Sequence, residues 1–370
     1  MPTFQSLPQY EHGLPASLGV LLVNLGTPDE PSVAAVRRYL GQFLWDPRVV
    51  ETPRALWWII LHAYILRVRP ARSAKAYQKI WTEHGSPLLL HSQDIAESVG
   101  RQLASRFSGA VNVELGMSYG NPAIDAALDR LYERGAQRIV CLPLYPQYSG
   151  TTTASVFEAV TDALKRRRWI PEFRFINQYH DARGYIAAQA QNIREYWDQN
   201  GRGDKMLFSF HGIPNEMLSK GDPYHCQCLK TARLIAESLE LDESDWIVTF
   251  QSRVGRAEWL RPYTDQTVID LGKKGLQQLD VVCPGFSADC LETLEEIAIR
   301  NAGFFTGAGG GELRYIPALN ARDDHVEFLV RLIEKHAGGW PESSTDWSAS
   351  ETAHEQDKSR QRALAMGASQ

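Results

Sequence analysis

Phe208-Ser209-Phe210-His211-Gly212-Ile213-Pro214 is an apolar run that ends on a histidine and is followed at once by glycine and proline. The run is typical of a buried β-strand, and Gly212 and Pro214 predict a turn directly after it. His211 would then lie at the carboxyl end of its strand, where open α/β folds place their ligands. We therefore take His211 as a candidate site residue. A histidine that only closes a strand by a hydrogen bond is the plainer interpretation.

An acidic helix predicted over Leu291–Asn301 supplies the second candidate group. Glu292 and Glu296 are four residues apart, so their carboxylates share a helix face, where like charges cost roughly 0.2–0.5 kcal/mol. A helix that keeps this pair is a candidate for binding a cation. Acidic residues also complement the start of a helix, with Ser287 as a candidate N-cap. That alternative accounts for Asp289 and partly for Glu292, but not for Glu296.

Apolar runs of strand length alternate with amphipathic helical stretches along most of the chain, which is the pattern of parallel α/β folds. The predicted strands are Gly19–Leu25, Val111–Tyr119, Arg138–Tyr145, Phe173–Asn177, Met206–His211, Trp246–Gln251, Leu279–Pro284 and Leu313–Ile316. The predicted helices are Val33–Phe43, Leu88–Phe107, Ala123–Arg134, Thr153–Arg168, Gly184–Gln199, Lys230–Leu239, Leu291–Asn301 and Asp324–Lys335.

The length of 370 residues exceeds what a single core usually supports, so two domains are expected. We predict an N-terminal domain over residues 18–160 and a C-terminal domain, carrying the metal site, over residues 161–320. The helix at 321–337 is expected to return and pack on the first domain. Residues 340–370 are polar without an apolar period, which predicts a disordered tail.

Two pairs of similar segments indicate that the halves are related. Asn24-Leu25-Gly26-Thr27-Pro28 resembles Phe210-His211-Gly212-Ile213-Pro214, and Cys141-Leu142-Pro143-Leu144-Tyr145-Pro146 resembles Val282-Cys283-Pro284-Gly285-Phe286. Glycine and proline after a strand are also ordinary turn residues, so the repeat is only indicated. If it holds, both halves direct their strand ends toward a common cleft.

The composition excludes several classes of protein. Apolar residues make up 44% of the chain and charged residues 22%, as in ordinary soluble proteins. A net charge of −5 without a basic stripe argues against nucleic acid as a partner. Met1–Ser17 has no continuous apolar segment and is not expected to be a secretory signal. The five cysteines are therefore interpreted as reduced thiols of a cytoplasmic protein.

The short segment His225-Cys226-Gln227-Cys228 has the residue types of a metal site. Zinc and iron–sulfur sites usually need four ligands, and no second cysteine pair follows at a useful spacing. Without that second pair a metal site is the less favoured interpretation, and whether this segment binds anything stays open.

The segment Ala55–Val68, which we call the apolar lip, is apolar nearly all round. Its 14 residues would span about 21 Å as a helix, less than the roughly 30 Å of a bilayer's hydrocarbon core. The plainer interpretation is a buried helix. The alternative is a surface that touches a membrane or a flat apolar ligand, since Arg54, Arg67, Arg69 and Arg72 lie around it.

Six segments, in this order along residues 18–336, resemble one known enzyme family. They are Val23–Pro28, Ser209–Pro214, Gly221–Tyr224, Phe250–Gly255, Cys283–Phe286 and Asp289–Ile297. The family is the ferrochelatases, lyases that insert ferrous iron into a porphyrin to make heme. One of these motifs alone would be weak, whereas the ordered set is highly specific.

The resemblance implies two Rossmann-like, chelatase-like domains with parallel sheets that face each other across a porphyrin cleft. It implies that His211 and Glu292 form the iron site and that Glu296 is a second acidic residue of the reaction, with the role of His211 as base or metal ligand left open. The residues that fall near positions lining the porphyrin or meeting its propionates are Leu25, Arg69, Tyr77, Ser86 and Tyr119.

The expected reaction is insertion of Fe²⁺ into protoporphyrin IX to give protoheme, the terminal step of heme biosynthesis, with Fe²⁺ as substrate and no organic cofactor. No cysteine follows Cys290, so no iron–sulfur cluster is expected. The location would be cytoplasmic, or peripheral at the inner membrane through the apolar lip. The alternatives are a chelatase for coproporphyrin III or another tetrapyrrole, a non-catalytic tetrapyrrole carrier, and a binding protein for another small ligand.

Overall fold

The computed structural model describes residues 4–6, 16–255 and 257–368. The described residues form two four-stranded sheets in which every neighbouring pair of strands is parallel. The first sheet contains β1 (Ser17–Thr27), β2 (Val111–Gly120), β3 (Ala136–Pro143) and β4 (Glu172–Phe175). The second contains β5 (Lys205–His211), β6 (Trp246–Gln251), β7 (Gln278–Val282) and β8 (Glu312–Tyr315). The predicted α/β class is confirmed, and all eight predicted strands are present.

Helices cover both sheets and connect their strands. In the first half they are α1 (Val33–Trp45), α2 (Arg54–Ile60), α3 (Leu66–Ile80), α4 (Pro87–Arg106), α5 (Ile124–Glu133) and α6 (Thr153–Lys165). They continue with α7 (Arg183–Asn200), α8 (Asn215–Ser219), α9 (Tyr224–Ser238), α10 (Thr264–Lys273), α11 (Ala302–Gly307), α12 (Asp323–Ala337) and α13 (Ala349–Ala365). Two π-helical segments are at Leu61–Ile65 and Glu292–Asn301, and 3₁₀ turns are at Glu243–Asp245 and Pro341–Ser343.

The two sheets have the same strand order, β2-β1-β3-β4 and β6-β5-β7-β8. The similar segments of the sequence fall on equivalent strands of this arrangement. Asn24–Pro28 and Phe210–Pro214 end the two central strands β1 and β5, while Cys141–Pro143 and Val282–Pro284 end β3 and β7. The internal similarity in the sequence therefore corresponds to a repeated topology.

The core is continuous across the two halves. Leu22 of the first sheet and Phe208 and Phe210 of the second belong to one cluster of buried apolar side chains. Because helices cover both faces of each parallel sheet, β1 is buried along almost its whole length. Polar contacts also cross between the halves, for example from the Ser287 hydroxyl to the carbonyl oxygen of Leu144 at 3.0 Å.

The boundary predicted at residue 160 does not follow the sheets. Strand β4 pairs with β3, so the first sheet extends to Phe175, and residue 160 lies inside α6. Helix α12 contacts both α4 and α7, and its Glu334 carboxylate lies 3.3 Å from Arg106 at the end of α4. The division into separate domains itself stays a prediction.

Residues 340–368, within the tail predicted to be disordered, contain a buried tryptophan and a helix. Trp340 is buried, its ring is covered by the Arg174 guanidinium at 4.0 Å, and its indole N–H donates to Glu172 at 2.6 Å. Helix α13 follows, with Ser348 as its N-cap and no buried residue. Its local contacts include Lys358 with Glu355 at 2.8 Å, the kind of pair that stabilises an exposed polar helix.

The apolar lip is not a buried helix. It runs through α2, the π-helical segment and the start of α3, and only Trp57 and Leu61 of the lip are buried. Five large apolar side chains are 53% to 64% exposed: Leu56, Trp58, Ile59, Tyr64 and Val68. Across the described ranges, no helix combines the length and apolar character required to cross a bilayer. The expected lack of a secretory signal in Met1–Ser17 concerns mainly residues outside those ranges.

Candidate functional site

His211 is the last residue of β5, as the sequence predicted, and is half-buried. Its Nδ1 lies 2.6 Å from the carbonyl oxygen of Gly212. A carbonyl oxygen can only accept, so this contact places a proton on Nδ1 and leaves Nε2 with a lone pair in the neutral ring. Trp259 stands beside the imidazole, with 6.3 Å between ring centres.

Gln251, on the neighbouring strand, connects His211 to the acidic helix. It is the parallel-sheet partner of His211 and lies at the end of β6. Its amide oxygen accepts from the Ser209 hydroxyl at 2.6 Å, and its amide nitrogen donates to the backbone carbonyl of Glu292 at 2.8 Å. The end of the second sheet is thereby fixed to the first turn of the helix that carries Glu292.

The acidic helix predicted at Leu291–Asn301 is present at Glu292–Asn301, where it is a π-helix. A π-helix has wider turns with hydrogen bonds to the fifth residue, and such turns are frequent at functional sites. The Asn301 side-chain amide donates to the carbonyl oxygen of Glu296 at 2.7 Å, which supports the wider turn from outside the backbone ladder.

Asp289 and Ser287 have structural roles that differ from those expected at a helix start. The Asp289 carboxylate is buried and accepts from the Tyr315 hydroxyl at 2.6 Å, from Thr293 at 2.9 Å and from the Asn320 amide at 2.8 Å. The Ser287 hydroxyl donates to the first half of the molecule and does not cap the helix. Asp289 therefore anchors the segment, and the candidate acidic face is left to Glu292 and Glu296.

Glu296 is held by donors from another loop. The backbone N–H of Ser252 donates to Glu296 Oε1 at 2.9 Å, and the Ser252 hydroxyl donates to Glu296 Oε2 at 2.6 Å. Burial raises the pKa of Glu296, opposed by the Ser252 hydrogen bonds and by the charges of Arg300 and His211. The charge of Glu292 raises this pKa further. His211 and Glu292 thus both lie close enough for their charges to act on the Glu296 carboxylate.

Arg69 and Tyr77 from α3 face the same acidic group. Burial lowers the pKa of the half-buried Arg69, and the charge of Glu292 opposes that shift. Burial and the charge of Glu292 raise the pKa of Tyr77. Burial and the charges of neighbouring groups, Glu292 among them, also raise the pKa of Tyr39, a buried residue of α1 that sequence reasoning missed. The polar end of the acidic helix therefore opens toward a wall of neutral tyrosines and one arginine.

The remaining predicted binding residues surround the end of β1. Ser86 is buried and accepts from the Thr27 hydroxyl at 2.8 Å. Leu25 packs against the apolar cluster that contains Tyr77 and Tyr119. The Tyr119 hydroxyl donates to the Asp46 carboxylate at 2.7 Å, so its polar end is occupied within the first half.

The two halves meet directly along the acidic helix. Leu291, just before Glu292, packs on the tyrosine cluster of the first half. Lys79 of α3 lies 2.9 Å from Glu295 of the second half. Gln251, Ser252, Lys79 and Arg300 were not predicted as site residues. The quoted segment Phe250–Gly255 contained the first two, although nothing in it indicated contacts with a helix some forty residues further along the chain.

Across the described residues, metal-ligating side chains do not assemble into a cage of three or more, either at the acidic helix or elsewhere. Within residues 4–6, 16–255 and 257–368, no three His, Cys, Asp or Glu side chains are arranged to hold a metal ion. The segment His225–Cys228 begins helix α9, with Cys226 exposed and Cys228 buried among apolar residues. All five cysteines are free thiols.

Comparison with known proteins gives consistent matches over the length of the chain. A family model described as ferrochelatase matches residues 17–337. A protein named ferrochelatase from Thioalkalivibrio sulfidiphilus is 56% identical over 99% of both chains. One from Nitrosococcus oceani is 52% identical over 99% of this chain and 100% of its own. SirB from Bacillus subtilis, solved with Fe³⁺, has a similar fold, with a TM-score of 0.52 and 12% identity over 90% of this chain and 100% of that one.

Proposed function

Because the chain belongs to the ferrochelatase family, we propose that it inserts ferrous iron at His211 and Glu292, with Glu296 as a second acidic residue of the reaction. Ferrochelatases are lyases of heme biosynthesis that place Fe²⁺ in a porphyrin and release the two pyrrole protons. The observation that carries the assignment of residues is geometric: Gln251, the strand partner of His211, donates to the Glu292 backbone carbonyl, and the adjacent Ser252 donates to the Glu296 carboxylate. His211 and Glu292 are the proposed metal ligands, and iron is the substrate.

His211 can serve the reaction through one atom. Its Nδ1–H is held by the Gly212 carbonyl, so Nε2 carries the available lone pair. That lone pair can accept a pyrrole proton or bind Fe²⁺, and imidazole suits both tasks near neutral pH. Glu292, close to the tyrosine wall, is the proposed carboxylate partner on the same side as the porphyrin.

The apolar wall supplies the other requirement of metal insertion. A flat macrocycle hides its nitrogen lone pairs, so binding energy at the periphery has to bend the ring before iron can enter. Tyr39, Tyr77 and Leu25 belong to, or pack on, one apolar cluster beside Glu292. We propose that this cluster, with Tyr119 and the end of β1 at Ser86, holds the ring in a bent form.

Replacement of His211 tests the proposed chemistry. We expect His211→Ala to bind porphyrin normally but to lose iron insertion by at least about 100-fold, because a positioned acid–base group typically contributes 10²–10⁴ in rate. Porphyrin binding is measured by absorbance titration and insertion by anaerobic formation of heme. His354→Ala, on the exposed helix α13, is the matched control. Near-normal turnover of His211→Ala would remove His211 from the mechanism.

We propose protoporphyrin IX as the porphyrin, with coproporphyrin III as the rival. Protoporphyrin IX carries fewer carboxylates, and the wall consists of neutral tyrosines and apolar residues with Arg69 as its half-buried cation. An additional buried carboxylate without a partner would weaken porphyrin binding. Each loss of about 1.4 kcal/mol in binding free energy lowers the affinity tenfold. We expect kcat/KM with Fe²⁺ to be at least about tenfold higher for protoporphyrin IX in an anaerobic assay. Equal or reversed values would favour coproporphyrin III.

We also propose that the apolar lip contacts a membrane surface at the side of the porphyrin wall. The exposed side chains of Leu56, Trp58 and Val68 support this, since large apolar patches on a protein surface usually mark an interaction site. Arg67 and Arg72 are exposed beside them and would face anionic headgroups. Such a position would bring an apolar porphyrin from the lipid phase directly to the site.

A further inference from the structure

We propose that Ser252 and Arg300 keep divalent cations off Glu296, so that the metal is confined to the His211–Glu292 end of the acidic helix. The inference rests on the proposed function and concerns the path of the metal within that site. It makes Ser252 and Arg300 positioning residues, which act on the metal through Glu296 and do not touch it themselves.

The first observation is that protein donors occupy both carboxylate oxygens of Glu296. Oε1 accepts from the Ser252 backbone N–H at 2.9 Å, and Oε2 accepts from the Ser252 hydroxyl at 2.6 Å. Arg300 adds its guanidinium at 3.4 Å from Oε2. A carboxylate bound in this way has few lone pairs left for a metal. A metal that displaced the Ser252 donors would leave their hydrogen-bonding groups without an acceptor.

Glu292 differs from Glu296 in this respect. Among the hydrogen bonds of the described residues, Glu292 is engaged at its backbone carbonyl, which accepts from the Gln251 amide at 2.8 Å, while its carboxylate interacts with the buried Cys290 thiol. A thiol is a weak donor that is easily displaced. Of the two acidic residues, Glu292 is therefore the one whose oxygens are available to an incoming cation.

The second observation is the positive charge placed beyond Glu296. Arg300 is four residues further along the π-helix and lies 3.4 Å from both Glu295 and Glu296. Lys79 from the other half lies 2.9 Å from Glu295. A divalent cation at Glu296 would stand beside the Arg300 guanidinium, and like charges at such short distances repel. The positive charges of Arg300 and Lys79 thus form a barrier to cations at the far end of the acidic face.

Titration of the porphyrin-free protein with Zn²⁺ by calorimetry tests this inference. We expect Arg300→Gln to gain a further bound Zn²⁺ ion, or to bind Zn²⁺ at least about tenfold more tightly than the unchanged protein, because the barrier is lost while Glu296 keeps its charge. Arg300→Lys retains the positive charge and should behave like the unchanged protein. In the double variant Arg300→Gln with Glu296→Gln, the gain should vanish.

Two further variants separate the possible outcomes. Ser252→Ala removes one donor from Glu296 and should also give tighter, Glu296-dependent Zn²⁺ binding, which keeps the test decisive if Arg300→Gln fails to fold. Lys79→Met removes one of the two cations beside Glu295 and leaves the donors of Glu296 in place, so it should give no Glu296-dependent gain. Unchanged Zn²⁺ binding in both Arg300→Gln and Ser252→Ala would overturn the inference, as would a gain that survives Glu296→Gln.

Failure of this inference and failure of the proposed function would appear in different measurements. The readout is the difference between variants in ions bound without porphyrin, and it can be measured even if the unchanged protein binds no Zn²⁺. Failure of the proposed function would appear instead as normal iron insertion by His211→Ala.

Discussion

Gly26 lies where β1 reaches the tyrosine cluster, and only a glycine fits there. Its φ angle is +102°, a conformation that side-chain-bearing residues rarely adopt. A Cβ at this position would lie 1.7 Å from the carbonyl oxygen of Tyr119. The close approach of two backbones lets Leu25 and Tyr119 belong to the same wall of the site.

Gly26→Ala should therefore destabilise the protein by at least about 2 kcal/mol, since it adds both backbone strain and a clash. Gly303→Ala is the matched control, because Gly303 is an exposed helical residue at which an added Cβ would meet no heavy atom within 4 Å. That change should be neutral or stabilising by up to about 1 kcal/mol. Denaturant unfolding of both variants checks the pair, and equal effects would contradict this account of Gly26.

Ser252 is a second residue with a special backbone. Its φ is +67°, which costs a non-glycine residue about 1–3 kcal/mol and usually persists only at functional sites. This conformation lets the N–H and the hydroxyl of one residue point at the same carboxylate, Glu296. The strain is thus explained by the need to hold Glu296 at both oxygens.

Among the elements, the two π-helical segments lie beside the proposed site. Glu292–Asn301 carries the acidic face, and Leu61–Ile65 lies in the middle of the apolar lip. The lip holds Trp57 and Leu61 in the tyrosine cluster while its opposite side remains exposed. One helical element therefore connects the porphyrin wall to the outer surface.

The proposed membrane contact is tested with Leu56→Glu. Leu56 is 53% exposed in the lip, and a charged residue there should reduce co-sedimentation with anionic phospholipid vesicles at least about fivefold, because buried apolar area and electrostatic attraction both contribute to such binding. Leu229→Glu makes the same change on α9, where the leucine is 40% exposed outside the lip, and should have no effect. If the unchanged protein does not sediment with vesicles, the contact is refuted.

The protein as a whole is tied together by α12, which packs against helices of both halves. His325 lies at its start, fully buried, with Nδ1 2.7 Å from the carbonyl oxygen of Asn320. Burial lowers the pKa of His325 to about 4, partly opposed by the hydrogen bond to Asn320 and the charge of Asp324. The folded protein therefore keeps this ring neutral where the unfolded chain would protonate it.

Stability should consequently fall in acid through His325. Its folded pKa is below the unfolded value of about 6.5, so the unfolded state binds more protons between about pH 6.5 and 4, and stability is lost as the pH decreases through that window. Between pH 7 and 5 the loss from this group is about 2 kcal/mol. Denaturant unfolding of His325→Gln should show a correspondingly smaller loss, while His354→Gln on exposed α13 should match the unchanged protein. Equal pH dependence in all three would exclude His325 as the cause.

Local patterns in the sequence were sufficient for much of this architecture. The apolar runs located all eight strands, and the turn residues after Phe210 put His211 at a strand end, because strand periodicity and turn chemistry are properties of neighbouring residues. The pairing of Glu292 with Glu296 followed from their spacing. The family resemblance supplied the expected roles of these residues.

The remaining features of the fold and the site depended on contacts between segments that are distant in the sequence. No local pattern indicated that Ser252 and Arg300 would hold Glu296, that Asp289 would be satisfied by Tyr315, or that the acidic helix would have π-helical turns. The lip was apolar in either interpretation, and only packing against one side of it left the other exposed. Composition and periodicity describe what a segment can bury, whereas its partners depend on which surfaces the folded chain brings together.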